Sequence, residues 1–249
     1  AFGPLAALGA YFCWWFVASG MPLSASLPLA ALASAAVGAL CWRYIYRPFE
    51  LNGSPSIVIL IASLGLFIFI ENAIGVVFGS DTKAIADAPA GLIELGGVTL
   101  TVIQVLGVLW LAVVAAGMAG FVAYTRAGRA ILAMNDNPEM ATVVGINTQG
   151  IAKLVFAIGS AIACVAASLM LLREGAHPHM GFQLVFMAFV AVIVGGVGSL
   201  RGAVIGGLLL GLVESLGMWK IPSEWQGSIA FVVLFLVLLV RPQGLLGGR

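Results

Sequence analysis

The chain has 249 residues, of which 62% are hydrophobic and only 8% are charged, and its formal net charge is +1. Soluble domains carry about 25% charged residues, so this composition excludes a water-soluble surface, and the near-zero net charge argues against nucleic acid as a partner. The mean hydropathy of +1.14 indicates a membrane protein. We predict an all-α, polytopic transmembrane bundle, because helices satisfy their own backbone in lipid and the alternating strands of a barrel are not visible.

Eight apolar segments follow one another along the chain and form one predicted transmembrane domain over residues 1–249. The longer segments approach or exceed the roughly 20 residues that cross a bilayer core as a helix. The sixth to eighth are short, and we expect them to be broken, tilted or re-entrant. The segments comprise residues 4–20, 27–46, 56–78, 100–124, 151–172, 182–197, 202–217 and 227–240.

The outer loop 79–99 leads into the fourth segment. It contains Gly96-Gly97, and the residues that follow, 98–102, read Val-Thr-Leu-Thr-Val. Threonine and valine are enriched in strands. We therefore predict a short strand at 98–102, directly before the fourth helix.

Lysine and arginine are unevenly distributed between the two ends of the segments. If the loop after the second segment faces the cytoplasm, eight basic residues lie on that side and three on the other. Basic residues favour the cytoplasmic side, so we predict this orientation, with a cytoplasmic C-terminus. The cytoplasmic set is Arg43, Arg47, Arg126, Arg129, Lys153, Arg201, Arg241 and Arg249, and the outer set is Lys83, Arg173 and Lys220.

A polar stretch interrupts the apolar pattern in the cytoplasmic loop after the fourth segment. Asn137-Pro138 predicts a helix start, because Asn caps free N–H groups and Pro fits the first helical position. Glu139 then lies near the positive end of the helix dipole. Gly145 is suited to a left-handed stop. The stretch therefore predicts a helix of about two turns over residues 138–144.

This short helix carries an apolar face. Met140, Val143 and Val144 are spaced at i, i+3 and i+4 and share one side. Because so short a helix is unstable alone in water, it must rest on another surface. Two readings stay open: contact with another protein in the cytoplasm, and packing on the chain's own membrane bundle.

The spacing Glu139-x-Ala141-x-x-x-Gly145-Ile146 resembles the conserved cytoplasmic loop of ABC importer permeases. Further stretches are similar, more specifically, to permeases of branched-chain amino acid importers. The similarity is densest in the second half of the chain. The stretches are GRAILAM (128–134), GINTQGIAKLVFAIGSAIA (145–163), AFVAVIVGGVGSLRGAVIGGLLLGLVESLG (188–217), VRPQGLLG (240–247) and, more weakly, RYIYRPF (43–49) and SLGLFIFIEN (63–72).

The resemblance implies a permease subunit of an ABC importer in the inner membrane, for branched-chain or related small amino acids or amides. Its implied partners are membrane lipid, a second permease expected to be a paralogue, ABC ATPase subunits that bind ATP and Mg, and a periplasmic or lipid-anchored substrate-binding protein. Loop 125–150 would be the coupling loop. The residues implied to contact the ATPase subunit are Asn137, Pro138, Glu139, Met140, Ala141, Val143, Val144 and Gly145.

The residues themselves support this division of labour. None of the three lysines follows a glycine, so the chain lacks the G-x-x-x-x-G-K-[ST] phosphate loop. We therefore predict that the chain is not an enzyme and binds no cofactor or metal of its own. The family's first helix and its Asn-Phe-Ala-x-Gly signature are represented only by Ala1-Phe2-Gly3. We expect the amino-terminal part of the protein to be missing here.

Two acidic positions inside the apolar segments are candidates for the translocation pathway. Glu71, beside Asn72, lies in the third segment, and Glu214 lies near the outer end of the seventh. An acid inside the bilayer costs roughly 2.5 kcal/mol or more unless it is paired or hydrated. The open readings are contact with the ammonium group of a zwitterion, a hydrogen bond between helices, and a carboxyl group that reaches interfacial water.

Glycines are densest between the sixth and seventh segments. Gly195, Gly196 and Gly198 are candidates for a hinge or a broken helix that lines the pathway. The patterns Gly202-x-x-x-Gly206 and Gly207-x-x-x-Gly211 are typical of close helix packing in membranes. Packing alone and a hinge role are compatible readings.

The alternative function is a stand-alone ion- or proton-coupled secondary transporter in which Glu71 and Glu214 titrate. Such a transporter often contains an internal repeat, and the sequence shows none that is convincing. An intramembrane enzyme would need a nucleophile–base pair or a metal cluster. His177 and His179 flank Pro178 in an outer loop without a third ligand, and we expect a solvated loop there.

We expect Glu71→Ala and Glu214→Ala each to lower substrate uptake more than they lower the amount of subunit in the membrane, because a pathway residue acts on substrate. Uptake and immunoblots of the same membranes measure the two quantities. Equal losses of both would indicate a packing role instead.

Overall fold

The computed structural model describes residues 2–85, 91–95, 98–217, 219, 225–241 and 243–246. The chain divides into two compact units, Ala1–Phe182 and Gln183–Arg249. Helices dominate both units. In chain order the elements are α1 Phe2–Ala18, α2 Leu23–Cys41, a π-helical turn Trp42–Tyr46, α3 Arg47–Leu51, α4 Ser56–Phe78, β1 Leu92–Leu95, β2 Val98–Thr101, α5 Val102–Tyr124, α6 Arg126–Asp136, α7 Pro138–Val143, α8 Thr148–Glu174, α9 Met180–Gly195, α10 Leu200–Gly217 and α11 Gln226–Val240.

Apolar helices occupy every one of the predicted apolar segments. Among the described residues, five helical stretches are long and apolar enough to cross a membrane, and three further apolar helices are shorter. The all-α membrane fold is thus confirmed, while the number of complete crossings stays a prediction. The long stretches are Leu23–Leu51, Ser56–Phe78, Val102–Tyr124, Thr148–Glu174 and Leu200–Gly217, and the shorter helices are Phe2–Ala18, Met180–Gly195 and Gly227–Val240.

Helices α1, α2 and α8 pack closely in the first unit because small residues lie where they cross. A Cβ atom added at Gly9 of α1 would lie 2.6 Å from the Cβ of Cys164 in α8. One added at Gly38 of α2 would lie 2.1 Å from the Oγ of Ser160. Such close approach is typical of membrane helices, which gain stability from packing where lipid removes the hydrophobic driving force.

A buried hydroxyl joins the same three helices. The Oγ of Ser34 in α2 lies 3.1 Å from the carbonyl oxygen of Ser160 in α8 and 3.4 Å from that of Leu5 in α1. All three residues are buried. The hydroxyl can donate to either carbonyl, so α2 is held to both neighbours by polar as well as apolar contact.

The second predicted segment extends further than expected. The helix does not end at Tyr46 but continues through the π-helical turn into α3, so Arg43 and Arg47 lie in helical turns and not in a loop. The Tyr46 hydroxyl contacts the Ser63 Oγ of α4 at 2.9 Å, which holds this extension against the bundle. The stretch ends where Gly53 takes a positive φ of 61°.

The strand predicted before the fourth helix is confirmed as β2, with Val102 already helical. It pairs antiparallel with β1, which the sequence did not indicate, and Leu92 lies opposite Thr101. The Thr101 N–H donates to the Gln104 Oε1 at 3.1 Å, so the strand passes directly into a capped helix start.

Two loops predicted to lie on the outer side are joined by backbone hydrogen bonds. The N–H of Lys83 donates to the carbonyl of Ala176 at 2.8 Å, and the N–H of Ala176 donates back to the carbonyl of Lys83 at 2.8 Å. The Tyr11 hydroxyl also donates to the Ala176 carbonyl, at 3.4 Å. The loops after α4 and α8 therefore lie at the same end of the first unit, as alternating membrane crossings require.

In the second unit, α9, α10 and α11 pack around a small apolar core. Its buried members are Val190 and Val194 of α9, Leu210 of α10 and Ala230 of α11.

Gly38→Ala should lower the midpoint of thermal unfolding of the detergent-solubilised protein by several degrees, because overpacking a tight contact costs about 1–3 kcal/mol. The added methyl group would meet Ser160 and, at 2.9 Å, the Phe156 carbonyl oxygen. Gly65→Ala is the matched control, because a Cβ atom there meets nothing within 4 Å. Equal midpoints for both variants would contradict the packing role of Gly38.

Candidate functional site

The short cytoplasmic helix predicted from Asn137-Pro138 is present as α7, which runs from Pro138 to Val143. Asn137 has extended backbone, and its Oδ1 accepts the N–H of Met140 at 3.0 Å. This is the predicted cap, and it satisfies one of the free donors of the first turn.

The predicted stop of α7 is also confirmed. Gly145 has a φ of 88°, in the left-handed region that glycine tolerates best. Its N–H donates to the carbonyl of Thr142 at 3.0 Å, and the N–H of Ile146 reaches back to Ala141 at 3.0 Å. These two bonds form a Schellman motif, which satisfies carbonyls that the helix end leaves free.

The apolar face of α7 is open. Met140, Val143 and Val144 are 59%, 79% and 77% exposed, whereas Ala141 is 4% exposed. The helix contacts α6 and α8. The face of Met140, Val143 and Val144 therefore does not pack on the chain's own bundle, which was one of the two readings of the sequence.

Side chains cap the first turns of α7 and of its two neighbours, α6 and α8. The Thr125 Oγ1 caps α6 by accepting the Gly128 N–H at 2.9 Å, and the Asn147 Oδ1 caps α8 by accepting the Gly150 N–H at 2.9 Å. With the Asn137 cap, each of α6, α7 and α8 begins at a side chain that orders its first turn. Helix α6 was not predicted from the sequence, although Thr125 is a residue type that favours a helix start.

Glu71 of α4 contacts His179, which directly precedes α9, through Glu71 Oε1 and His179 Nδ1. The side chain of Glu71 is 16% exposed and that of His179 is 79% exposed. His179 is exposed, as predicted for a solvated loop, and its ring also contacts Glu71, which the sequence did not indicate. The Met180 N–H donates to the His177 carbonyl at 3.1 Å in the turn that places His179 beside α4.

Two further contacts define the surroundings of this pair. The rings of Phe67 and Phe182 meet edge to face, with centroids 6.3 Å apart. Gly181 lies so close to α1 that an added Cβ atom would be 2.6 Å from the Gly3 carbonyl oxygen. The first turn of α9 is thus held against both α1 and α4.

The other two polar candidates are Asn72 and Glu214. The Asn72 Nδ2 donates to the Ile68 carbonyl of its own helix at 2.8 Å. Glu214 lies in α10 of the second unit and is 9% exposed. Asn72 is exposed, whereas Glu214 is a buried acid in a membrane helix.

The glycine candidates lie at a break between two helices. Helix α9 ends at Gly195, and Gly196 and Gly198 have φ values of 108° and 88°. The Ser199 Oγ then accepts the Gly202 N–H at 3.0 Å near the start of α10. The chain therefore turns sharply here, with a backbone that other residues would adopt only under strain.

Only one of the two predicted small-residue patterns packs closely. A Cβ atom at Gly202 would lie 2.4 Å from the Gly195 carbonyl oxygen, and one at Gly206 would lie 2.3 Å from that of Ala191. Gly207 makes an ordinary contact at 3.9 Å, and a Cβ atom at Gly211 meets nothing within 4 Å. The Gly207-x-x-x-Gly211 pattern is therefore not a close-packing surface in this chain, because it lies on another side of α10.

Residues 243–246 lie against the C-terminal end of α9, a contact that the sequence did not indicate. The N–H groups of Leu245 and Leu246 donate to the carbonyls of Val194 and Gly195, each at 2.9 Å. Helix ends leave such carbonyls without partners inside the helix. The segment with Leu245 and Leu246 thus completes the hydrogen bonding of the glycine break.

No group of three His, Cys, Asp or Glu side chains suited to a metal ion occurs among the residues that the structure describes.

The apolar helices and the exposed, capped α7 define a multi-pass membrane transport protein. Residues 1–238 match the family model for branched-chain amino acid transport system permease components, and the chain belongs to this family of ABC importer permeases. It is accordingly a transport subunit of the inner membrane, whose family works with ATPase and substrate-binding partners.

Individual relatives agree with this family. The chain is 36% identical over 90% of its length to BraD, a high-affinity branched-chain amino acid permease protein of Pseudomonas aeruginosa, and covers 74% of it. It is 33% identical over 99% of its length to LivH of Escherichia coli K12, which has the same description, and covers 84% of it. It is also 30% identical over 88% of its length to LsrC, an autoinducer 2 import permease protein of Escherichia coli, and covers 66% of it.

No solved structure shows significant similarity to the chain. Nothing in the relatives favours the alternative of a stand-alone secondary transporter.

Asn137→Ala should increase opening of α7 about fivefold, because loss of an N-cap costs about 1 kcal/mol. Hydrogen exchange followed by mass spectrometry on a peptide covering residues 138–146 measures this opening. Asn137→Ser keeps a capping oxygen and should leave exchange close to that of the unmodified chain. Unchanged exchange in Asn137→Ala would show that the cap does not stabilise α7.

Proposed function

We propose that this chain forms one half of the membrane pathway of an importer for branched-chain or closely related amino acids, driven by ATP and Mg bound on separate subunits. The branched-chain amino acid transport functions of BraD and LivH support this substrate class. LsrC, with lower identity and coverage, shows that similar permeases serve other compounds. The observation that carries the coupling mechanism is the open apolar face of α7.

The face of α7 is suited to a groove on an ATPase subunit. Met140, Val143 and Val144 are exposed on a helix whose caps hold it in place without a partner. An amphipathic helix laid into an apolar groove is a common recognition mode. Glu139 lies in the first turn, near the positive helix end, and Pro138 needs no N–H partner there. Ala141 was predicted to belong to the contact set, but it is buried against the chain itself. The proposed coupling set is therefore Asn137, Pro138, Glu139, Met140, Val143, Val144 and Gly145.

Movement of α7 would pass to the membrane through α8. Only the turn from Val144 to Asn147 separates the two helices, and α8 is a continuous helix of 27 residues, about 40 Å long at 1.5 Å per residue. Gly9 and Gly38 seat α1 and α2 tightly on α8. A ligand shifts a conformational equilibrium only when it binds the two conformations with different affinity. The ATPase groove must therefore bind α7 with a different affinity in each of its two nucleotide states.

The remaining parts of the assembly follow from this role. A second permease, a paralogue of this chain, completes the pathway, and a periplasmic or lipid-anchored binding protein delivers the amino acid. Residues 1–249 act as one permease domain with eight membrane crossings, a cytoplasmic coupling loop at 125–150 and a cytoplasmic C-terminus. The turn at Gly195, Gly196 and Gly198, and the buried Glu214, are the candidates for hinge and pathway in the second unit.

Replacing Met140 and Val143 together with serine should reduce co-purification of the co-expressed ATPase subunits at least tenfold. Burial of each apolar side chain in an interface contributes about 1.5–3 kcal/mol, and tenfold corresponds to about 1.4 kcal/mol. The measurement is the ratio of ATPase subunit to permease after purification in detergent.

Val197→Ser is the matched control, because Val197 is 72% exposed and lies on the side predicted to be cytoplasmic. It should leave the ratio unchanged. An unchanged ratio and unchanged ATP-driven import in the double variant would overturn the coupling role of α7.

A further inference from the structure

We propose that Glu71 and His179 form a contact site for the zwitterionic head of the transported amino acid. The Glu71 carboxylate would take the ammonium group, and the His179 ring would take the carboxylate. The inference rests on the proposed function and adds the residues that recognise the substrate class.

The depth of Glu71 in helix α4 indicates a role other than keeping a protein surface soluble. Glu71 lies about two turns before the end of α4 at Phe78, which places it roughly 10 Å inside that end of the helix. Helix α4 has 23 residues, enough to cross a bilayer core of about 30 Å. An acid at this level is expensive unless it is paired or hydrated, and His179 supplies its partner.

The start of α9 lies at the same level. Helix α9 has 16 residues, about 24 Å at 1.5 Å per residue, so it is shorter than a bilayer core of about 30 Å. A start below the membrane surface is compatible with this length. The positive end of the α9 dipole lies beside His179 and favours an anionic group such as a carboxylate.

One side of the pair is closed and the other is open. The contacts Phe67–Phe182 and Gly3–Gly181 hold α9 against α4 and α1 on the closed side. On the open side, the His179 side chain is 79% exposed. A polar group of this kind is costly against hydrocarbon, so the open side faces water or a second subunit. The proposal places the pathway of the permease pair on this open side.

The chemistry of the pair complements a zwitterion. Without substrate, the carboxylate and the imidazole satisfy each other, which avoids an unpaired polar group in a membrane helix. An amino acid brings one ammonium and one carboxylate group, so each side chain exchanges its partner for one group of the substrate.

The test uses the complete importer in proteoliposomes, with ATP inside, the binding protein outside and radiolabelled leucine as the probe. Glu71→Gln and His179→Asn should each lower the leucine transported per ATP hydrolysed about tenfold or more, because a charge-assisted hydrogen bond contributes about 1.5–3 kcal/mol. His177→Asn, two positions away, should stay within about twofold of the unmodified importer.

ATP hydrolysis separates recognition from packing. Because α7 is untouched, hydrolysis stimulated by the loaded binding protein should persist in both variants. If the Glu71–His179 contact only held α4 and the start of α9 together, uptake, hydrolysis and the amount of assembled complex would fall together. That result would overturn the proposal. If Glu71→Gln does not assemble, His179→Asn decides the question, because its exposed side chain leaves no cavity.

The experiment distinguishes failure of the zwitterion site from failure of the proposed import function. Unchanged leucine transport per ATP in either variant, with the unmodified importer active, would remove the zwitterion site and keep the importer. No ATP-driven import of any zwitterionic amino acid by the unmodified complex would remove the proposed substrate class, and this inference with it.

Discussion

The close backbone approach of α8 to α1 and α2 is the contact on which the first unit depends. In lipid the hydrophobic effect does not drive helices together, so packing distance decides whether they associate. Gly9 and Gly38 leave room for Cys164 and Ser160 of α8, and the buried Ser34 hydroxyl adds a polar link. A larger side chain at either glycine would separate the helices and loosen everything attached to the ends of α8.

Both candidate sites of the first unit are attached to α8. Its first residue follows the capped turn behind α7, and its end passes through Gly175 and Ala176, which is bonded to Lys83, toward His179. One continuous helix therefore connects the open apolar face of α7 with the end of the first unit at which the polar pair lies. Packed elements of this kind shift as units and do not bend continuously. Such a helix is suited to carry a displacement from one of its ends to the other.

Helix α7 was the part of the candidate site most accessible from sequence. Asn137, Pro138 and Gly145 act on groups three or four residues away, so their effect does not depend on the rest of the fold. The extension through Arg43 and Arg47 was missed because a π-helical turn keeps helical backbone where charges and a proline suggest a loop. Gly207 and Gly211 make no close contact with the described residues. Their spacing did not indicate this, because spacing identifies a stripe of small residues but not which stripe meets a neighbour.

The sequence by itself determined the apolar helices, the short strand before α5 and both ends of α7, because hydrophobicity and capping are local properties. Only the tertiary structure decided that Glu71 meets His179, 108 residues further along the chain, and that Leu245 and Leu246 cover the end of α9. The physical reason is that side-by-side helix placement in a membrane depends on shape and small-residue contacts between distant segments. Neither hydropathy nor spacing along one helix contains that information.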